Sequence, residues 1–454
     1  MQHVFVLIVL IALLSVPLRA TSPEDEVRDR TGADVRWQRD QAARQEAADA
    51  VRRLLKKPLT IRSAVQIALL NNRNLQATFE EIGIARADLM DAVTAPNPSL
   101  SFDFDSPLSG GVVTGYAAVI AQELVQILTL PLKKRIAIEQ LEAAQLRVAS
   151  EVLQVVAEVK KAYFTVQANQ QLLSRLKIIQ ETASTSLDLN QRQYEAGNIT
   201  DLTLLQAQAS YSEGRLEIAQ ASMALGEHRE QLNRLLGLWG DQTNWKITGD
   251  VLPVPVNDFL IRNLEALAVS QRLDLQAAHR DLLAATTALK LNKSTRWVPA
   301  LDLGFNVSRD IDGARSFGPS LGAELPVFNR GKGRVSRNEA ELRRAAVKLE
   351  ALAVDIRSEV REKRDKLLSL RDIAKFYHDD LLPTRIKVVN KALLEYNAMQ
   401  LSAYQLFMVK ADELKAERGY IDTSLEYWST RADLERIVGG TLNPRKPAIS
   451  EPQK

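Results

Sequence analysis

Cysteine is absent from the 454 residues. That excludes disulfides, thiolate metal sites, cysteine nucleophiles and an acylated N-terminal cysteine. Histidine is nearly absent: His3, His228, His279 and His378 lie far apart, and no two stand at the i, i+4 spacing of a ligand pair. Each reads as a surface helix residue, and His378-Asp379-Asp380 reads as a solvated helix end before Leu381-Leu382-Pro383, the alternative being a metal-binding cluster. No nucleophile–base–acid set can be assembled, so neither an enzyme nor a bound metal or cofactor is expected. An excess of one charge is also missing. Lys and Arg number 59 against 56 Asp and Glu, which gives no argument for a nucleic-acid partner. Gly331-Lys332-Gly333-Arg334 lacks the phosphate-loop spacing and reads as a passage from strand to helix. Long apolar runs are lacking as well. Residues 4–16 are apolar, about the length of a signal-peptide core and shorter than the roughly 20 residues of a spanning helix. Residues 1–20 are therefore expected to be an export signal, the alternative being a buried or interfacial helix. If the protein belongs in a membrane, it must cross as strands.

What is present is mostly helix-forming. Ala, Leu, Gln, Glu, Arg and Lys dominate between sparse clusters of Pro and Gly. The chain also contains itself twice. Asn72-Arg73-Asn74-Leu75-Gln76-Ala77, read from the shared Leu-Gln-Ala, aligns with Leu275-Gln276-Ala277; Pro98-Ser99-Leu100 aligns with Pro299-Ala300-Leu301; Tyr194-Glu195-Ala196-Gly197 aligns with Tyr396-Asn397-Ala398-Met399. The offset drifts only from 200 to 202 along the chain, as in a duplicated unit. The expected plan is a signal at 1–20, a polar N-terminal segment at 21–57, a first repeat at 58–237, a connector at 238–258, a second repeat at 259–440 and a polar tail at 441–454. Each repeat should hold a helix of about 35 residues (59–94; 258–296), a strand (98–105; 299–308) and a turn at Ser109-Gly110-Gly111 or Asp312-Gly313. A second strand follows (113–125; 315–327), then two long helices (130–195 and 199–237; 332–396 and 400–438). Val148, Val152, Val155, Val159, Tyr163 and Val166 form a coiled-coil-like seam, and Leu349, Leu352, Ile356, Val360, Leu367 and Leu370 form its counterpart. At ~1.5 Å per residue the first long helix would reach roughly 100 Å. Leu153, Val156 and Phe164 lie off the seam, so neighbours are expected on two sides, as in a ring of helices.

The strands alternate. Leu100, Phe102 and Phe104 share one face, as do Leu301, Leu303 and Phe305, while Phe317 and Leu321 share one face of the next strand. Asp103, Asp302 and Glu324 fall on the opposite faces. This fits a membrane barrel with apolar residues outward and polar residues inward; a half-buried sheet in a soluble protein gives the same pattern. Four strands cannot close a barrel in lipid, because about eight is the practical minimum, so the membrane reading requires several copies to share one. Trp297, Tyr116 and Phe317 are the clear candidates for an aromatic girdle.

Pro58-Leu59-Thr60-Ile61 through Asn72 resembles the opening of the TolC-type outer-membrane efflux proteins. Pro96-Asn97-Pro98-Ser99-Leu100 resembles the same family, above all its heavy-metal efflux branch (CzcC- and CusC-like), and Tyr194 through Leu202 resembles its tight helix-to-helix turn. The resemblance spans residues 58 to about 440. It implies a mainly α fold with a small β part: a trimeric α-helical barrel joined to a shared 12-stranded membrane β-barrel. It further implies a passive exit duct in the outer membrane with a periplasmic helical domain, which docks by its tips onto a periplasmic adaptor and an inner-membrane pump. The alternative is a soluble periplasmic coiled-coil scaffold or adaptor. At the tips, Gly197, Asn198 and Asp201 are expected in the first turn and Gln400, Leu401 and Ser402 in the second, contacting the adaptor or constricting the closed end. Asp201 could instead only cap the next helix. Met399 replaces the Gly197 of the first copy, so a different backbone angle is expected there. Leu100, Phe102, Phe104, Leu301, Leu303, Phe305, Phe317 and Leu321 would face outer-membrane lipid. Asp103, Asp302 and Glu324 would line a cation-preferring lumen, or serve solvation alone.

Overall fold

A computed structural model describes residues 23–105, 115–255, 263–310 and 314–441. The expected signal, both expected strand turns, the first residues of the second repeat's opening helix and nearly all of the tail lie outside these residues. The chain is mainly helical with one small antiparallel sheet. Helices α1 (Pro23–Thr31) and α2 (Gln41–Leu55) come first, then α3 (Ile61–Asn71), α4 (Arg73–Val93), β1 (Ser99–Asp105), β2 (Gly115–Glu123), α5 (Leu124–Glu195) and α6 (Asp201–Leu236). The second half repeats that order: α7 (Leu264–Gln271), α8 (Leu273–Ser294), β3 (Leu301–Arg309), β4 (Arg315–Ala323), α9 (Lys332–Phe376), α10 (Leu382–Asn397) and α11 (Ala403–Val438).

The opening helix of each half is broken, contrary to the single helices expected from periodicity. Asn72 turns to φ −66°, ψ 115°, and its side chain accepts from Leu75 N to start α4 while its amide donates to Leu235 O at 3.0 Å. Arg272 adopts almost the same angles, φ −68° and ψ 122°. It is anchored by Asp274 and Glu359 rather than by a side-chain cap. Neither break carries Gly or Pro, so the break is set by these tertiary partners. Burial raises the Glu359 carboxyl, but hydrogen bonds from Arg272 (2.7 Å) and Arg436 (2.6 Å) prevail and hold its pKa below the ordinary carboxylate value.

Helix α5 starts at Leu124, before the expected boundary, and runs through Pro131 for 72 residues, a length of roughly 100 Å at the α-helical rise. Its seam from Val148 to Val166 is buried, and so are the off-seam Leu153, Val156 and Phe164. The cause lies within the chain: α4, α6, α8 and α11 all pack along α5. The main core gathers this seam with Ile67, Leu69, Phe79, Leu232 and Trp245. A second cluster joins Ile356, Val360, Leu367 and Leu370 to Tyr427, Leu434 and Ile437. By contrast, Val347, Val354, Phe376 and Leu394 on α9 and α10 stay more than half exposed.

His378-Asp379-Asp380 does not end a helix. Tyr377–Leu381 form a π-helical turn between α9 and α10. The wider turn lets the chain pass Pro383, which has no N–H for the usual i→i−4 bond. The N-terminal segment wraps the first half. The Gln66 amide donates to Asp34 O at 2.8 Å and the Gln76 amide to Arg36 O at 3.1 Å, while Trp37 stacks on Phe79 at 6.3 Å between centroids. Arg30 ties it to the second half, donating to Gln271 O at 2.9 Å and Gly439 O at 2.7 Å.

Candidate functional site

The sheet has the order β1-β2-β3-β4, every pair antiparallel. Its register aligns the alternation of all four strands. Leu100 pairs with Ile120 and Ile120 with Phe305; Phe102 pairs with Ala118 and Ala118 with Val307; Leu303 pairs with Leu321, and Val307 with Phe317. Successive side chains point to opposite faces, so Leu100, Phe102, Phe104, Tyr116, Ile120, Leu303, Phe305, Val307, Phe317 and Leu321 make one face, and all are exposed. Leu301 joins that face, half-buried. Burying none of this apolar area within the chain leaves a contiguous patch that calls for an apolar partner.

The other face is polar. Asp103 lies in the row Ala117, Ser308, Ser316, where the two serine hydroxyls meet at 2.7 Å. Asp302 lies directly across from Glu123 and from Gly322. Glu123 was not among the sequence candidates, although the parity of its strand places it with Asp302. Glu324 falls outside β4, which stops at Ala323 rather than at 327, and its backbone N–H bonds Ala300 O at 3.2 Å.

Both edges, β1 and β4, are unpaired among the described residues. The bonds Asp310 N to Ala314 O and Glu324 N to Ala300 O mark the hydrogen-bonded rows between β3 and β4. Pro319, opposite Phe305, falls in the alternate rows, where N–H groups point away from the partner strand. Its missing donor therefore faces the free edge, the position where a strand tolerates proline.

The other ends of the long helices meet in two tight turns, and their backbones match. In the first, Gly197 N bonds Tyr194 O at 2.9 Å and Asn198 N bonds Gln193 O at 2.8 Å; in the second, Met399 N bonds Tyr396 O at 3.0 Å and Gln400 N bonds Glu395 O at 2.9 Å. Gly197 has φ 73° and Met399 has φ 60°. The expected difference in backbone angle is thus absent: the bonds that close the helix end impose the left-handed residue whatever its side chain. Met399 is 95% exposed and carries this strain with nothing packed on it. A non-glycine residue in this region costs about 1–2 kcal/mol, against roughly 0.5–1 kcal/mol of backbone entropy for glycine. Met399→Gly should slow hydrogen exchange around 392–405 by a small factor, and Gly197→Met should speed it around 190–203; the opposite pair of results would contradict the assignment of strain.

Asp201 does not cap α6. Thr200 does, accepting from Thr203 N at 3.3 Å, and Asp201 is the first helical residue, exposed. Ser402 has the matching role for α11, in a capping box with Gln405. Gly197, Asn198 and Gln400 are exposed, and Leu401 is half-exposed beside Ser402. The structure brings the first three candidates together in one tip and the last three in the other. It keeps both tips far from Asp103 and Asp302, at the opposite end of α5. Among the described residues no group of three His, Asp or Glu could hold a metal ion, and no helix is long and apolar enough to cross a membrane.

Residues 64–238 match the Outer membrane efflux protein family. The cobalt-zinc-cadmium resistance protein CzcC of Cupriavidus metallidurans is 22% identical over 84% of this chain and 90% of its own length. The probable efflux pump outer membrane protein TtgC of Pseudomonas putida is 24% identical over 63% of each chain. Among solved structures, CusC superposes with a TM-score of 0.70 at 18% identity, over 84% of this chain and 92% of that one. The open state of the Neisseria gonorrhoeae MtrE outer membrane channel gives 0.67 at 17% identity, over 85% and 90%. The first half thus matches the Outer membrane efflux protein family, and both halves together have the fold of the solved outer-membrane efflux channels.

Proposed function

We propose that the chain is one of three copies that together form a passive exit duct of the outer membrane, fed by a periplasmic adaptor and an inner-membrane pump. The observation that carries this is the sheet: an exposed apolar face, a polar face and two open edges. Open edges are not tolerated in lipid, and three copies supply twelve strands, enough to close a barrel. The uncovered apolar residues of α9 and α10 fit contact with neighbouring copies. The repeats, 58–237 and 259–440, would each contribute one strand pair and one helical hairpin, with the residues 238–258 linking them.

In this reading Leu100, Phe102, Phe104, Leu301, Leu303, Phe305, Phe317 and Leu321 face lipid, and Asp103, Asp302 and Glu123 line the lumen, with Glu324 at its rim. The tips holding Gly197, Asn198, Asp201, Gln400, Leu401 and Ser402 meet the adaptor. Asp201 narrows the closed end, where three copies place three carboxylates. The acidic rows suit a cationic cargo, and the likeness to a cobalt-zinc-cadmium resistance protein favours heavy-metal cations.

Conductance of the full chain in a planar bilayer tests the duct. Asp201→Ala should raise the mean conductance several-fold, and Asp103→Asn with Asp302→Asn should reduce cation preference in the reversal potential. Unchanged conductance would remove the role of Asp201. Recovery of the protein as a soluble periplasmic monomer would overturn the duct in favour of a soluble scaffold or adaptor.

A further inference from the structure

Just past β4, on the helical side of the sheet, the chain makes a short loop that neither the duct nor the tips account for. Leu325, Val327 and Phe328 are 75%, 64% and 101% exposed, and Trp297 beside them is 60% exposed. The loop is pre-shaped. Val327 N bonds Leu325 O at 2.8 Å around Pro326, which fixes a tight turn. Its base is fixed too. Arg296 donates from Nε to Arg330 O at 3.0 Å, and its guanidinium lies 4.8 Å from the Trp297 ring centroid. Gly331 then takes φ 66° and turns the chain into α9. Leu325 has the parity of Phe317 and Leu321, so the loop continues the apolar face of the sheet toward the helices. Immediately after the apolar side chains come Arg330, Lys332 and Arg334, all exposed and with no carboxylate within ion-pair distance among the described residues. Their neighbours on these helices differ: Lys293 pairs with Glu339 and Arg337 with Glu341.

Apolar side chains with an indole, followed directly by unpaired cations, match the order of layers in a phospholipid leaflet: acyl chains, an interfacial zone that favours Trp, then phosphates. We propose that Leu325–Phe328 and Trp297 form an interfacial anchor in the phospholipid leaflet on the helical side of the barrel, with Arg330, Lys332 and Arg334 binding headgroup phosphates and preferring anionic lipid. This rests on the outer-membrane reading above. It adds a lipid-binding collar below the strands, at a level where the chain is no longer sheet.

The absence of cysteine makes the test direct. Phe328→Cys, Phe317→Cys and Asp201→Cys each give a single site for a nitroxide label in the full chain, reconstituted in vesicles of phosphatidylethanolamine and phosphatidylglycerol. The ratio of collision with oxygen to collision with a water-soluble nickel chelate reports depth. The label at 328 should lie between the other two, several-fold above the tip label at 201. A label at 328 that matches the tip while 317 remains in lipid overturns the anchor and leaves the duct standing. A label at 328 shielded from both reagents overturns it as well, because a second copy of the chain then covers the loop. A water-like label at 317 refutes the membrane reading itself. Reversing the three cations together (R330E, K332E and R334E) should abolish the enrichment of spin-labelled phosphatidylglycerol over phosphatidylcholine at the protein boundary, and an undiminished preference overturns the headgroup contacts.

Discussion

Phe305→Arg is expected to keep the protein out of the outer membrane. Phe305 stands in the middle of β3, with Ile120 on one side and Pro319 on the other, on the apolar face. It is 56% exposed within a single chain, so its loss removes little packing in the free protomer. In a lipid-facing barrel, an arginine near the midplane costs about 2–4 kcal/mol. Three copies would add three such costs to one insertion event, of the order of the whole stability of an ordinary domain. The amount of the chain recovered in the outer-membrane fraction should fall by an order of magnitude or more. Ser101→Arg, on the polar face of β1, should assemble nearly as the natural protein does, since a water-filled lumen solvates the charge. Equal assembly of both variants would contradict the assignment of faces and return the sheet to the half-buried soluble kind.

The second large effect is expected at Gly237, where α6 ends. This residue has φ 65°, and a Cβ placed on it would lie 2.5 Å from Asn71 O. The closeness follows from function in the fold: the Asn71 amide donates to Gly237 O at 2.6 Å and to Leu236 O at 3.0 Å, closing the end of α6 against the end of α3. Gly237→Val would combine left-handed strain of about 1–2 kcal/mol, the loss of two hydrogen bonds worth roughly 1 kcal/mol each, and overpacking of about 1–3 kcal/mol. A total of about 4–7 kcal/mol should leave little folded protein, measured as protease-resistant yield. Gly226→Ala makes the contrast. Nothing lies within 4 Å of a Cβ there and the site is inside a helix, so the change should stabilise by up to ~1 kcal/mol. If Gly237→Val folds as well as Gly226→Ala, the packing of the two helix ends is not what holds the first half together.

The same junction shows where duplication in sequence and duplication in structure part company. In the second half, Gly439 takes φ 84° beside Gln271, the places of Gly237 and Asn71. Gln271 does not supply the donor. Arg30, far away in the N-terminal segment, reaches in to bond both Gln271 O and Gly439 O. Local sequence around Gln271 and Gly439 carries no sign of this partner. The segment before residue 58 read only as polar because much of its attachment, Gln66 to Asp34 and Gln76 to Arg36, is side chain to backbone.

Other features divide in the same way. The strands were legible because their alternation matches the pleat, so Leu100 through Phe104 announced a two-faced sheet with no reference to the rest of the chain. The helix breaks at Asn72 and Arg272 were not, since both residues can continue a helix, and the partners Leu235 O and Glu359, which join the local contacts with Leu75 N and Asp274, come from distant helices. The passage through Pro131 and the π turn before Pro383 were hidden for a related reason: proline marks a local cost, and whether a helix bears it depends on what packs around it. At Met399 one local rule overrode another: the turn's own hydrogen bonds between α10 and α11 impose the left-handed φ of Gly197 despite the side chain.

Sequence alone determined the periods: two copies of a unit, long helices with apolar seams, four short alternating strands, and no chemistry of the kind cysteine, histidine clusters or a nucleophile would bring. These depend on side chains a few residues apart, whose relation is set once the local backbone is chosen. Only the tertiary structure decided the register that fuses four alternations into one apolar face, the pairing of Asp302 with Glu123, the outward nitrogen of Pro319, the clamp of Arg30 and the exposure of Leu325–Phe328. Each of these depends on which distant residue becomes a neighbour, and that is fixed by packing the whole chain.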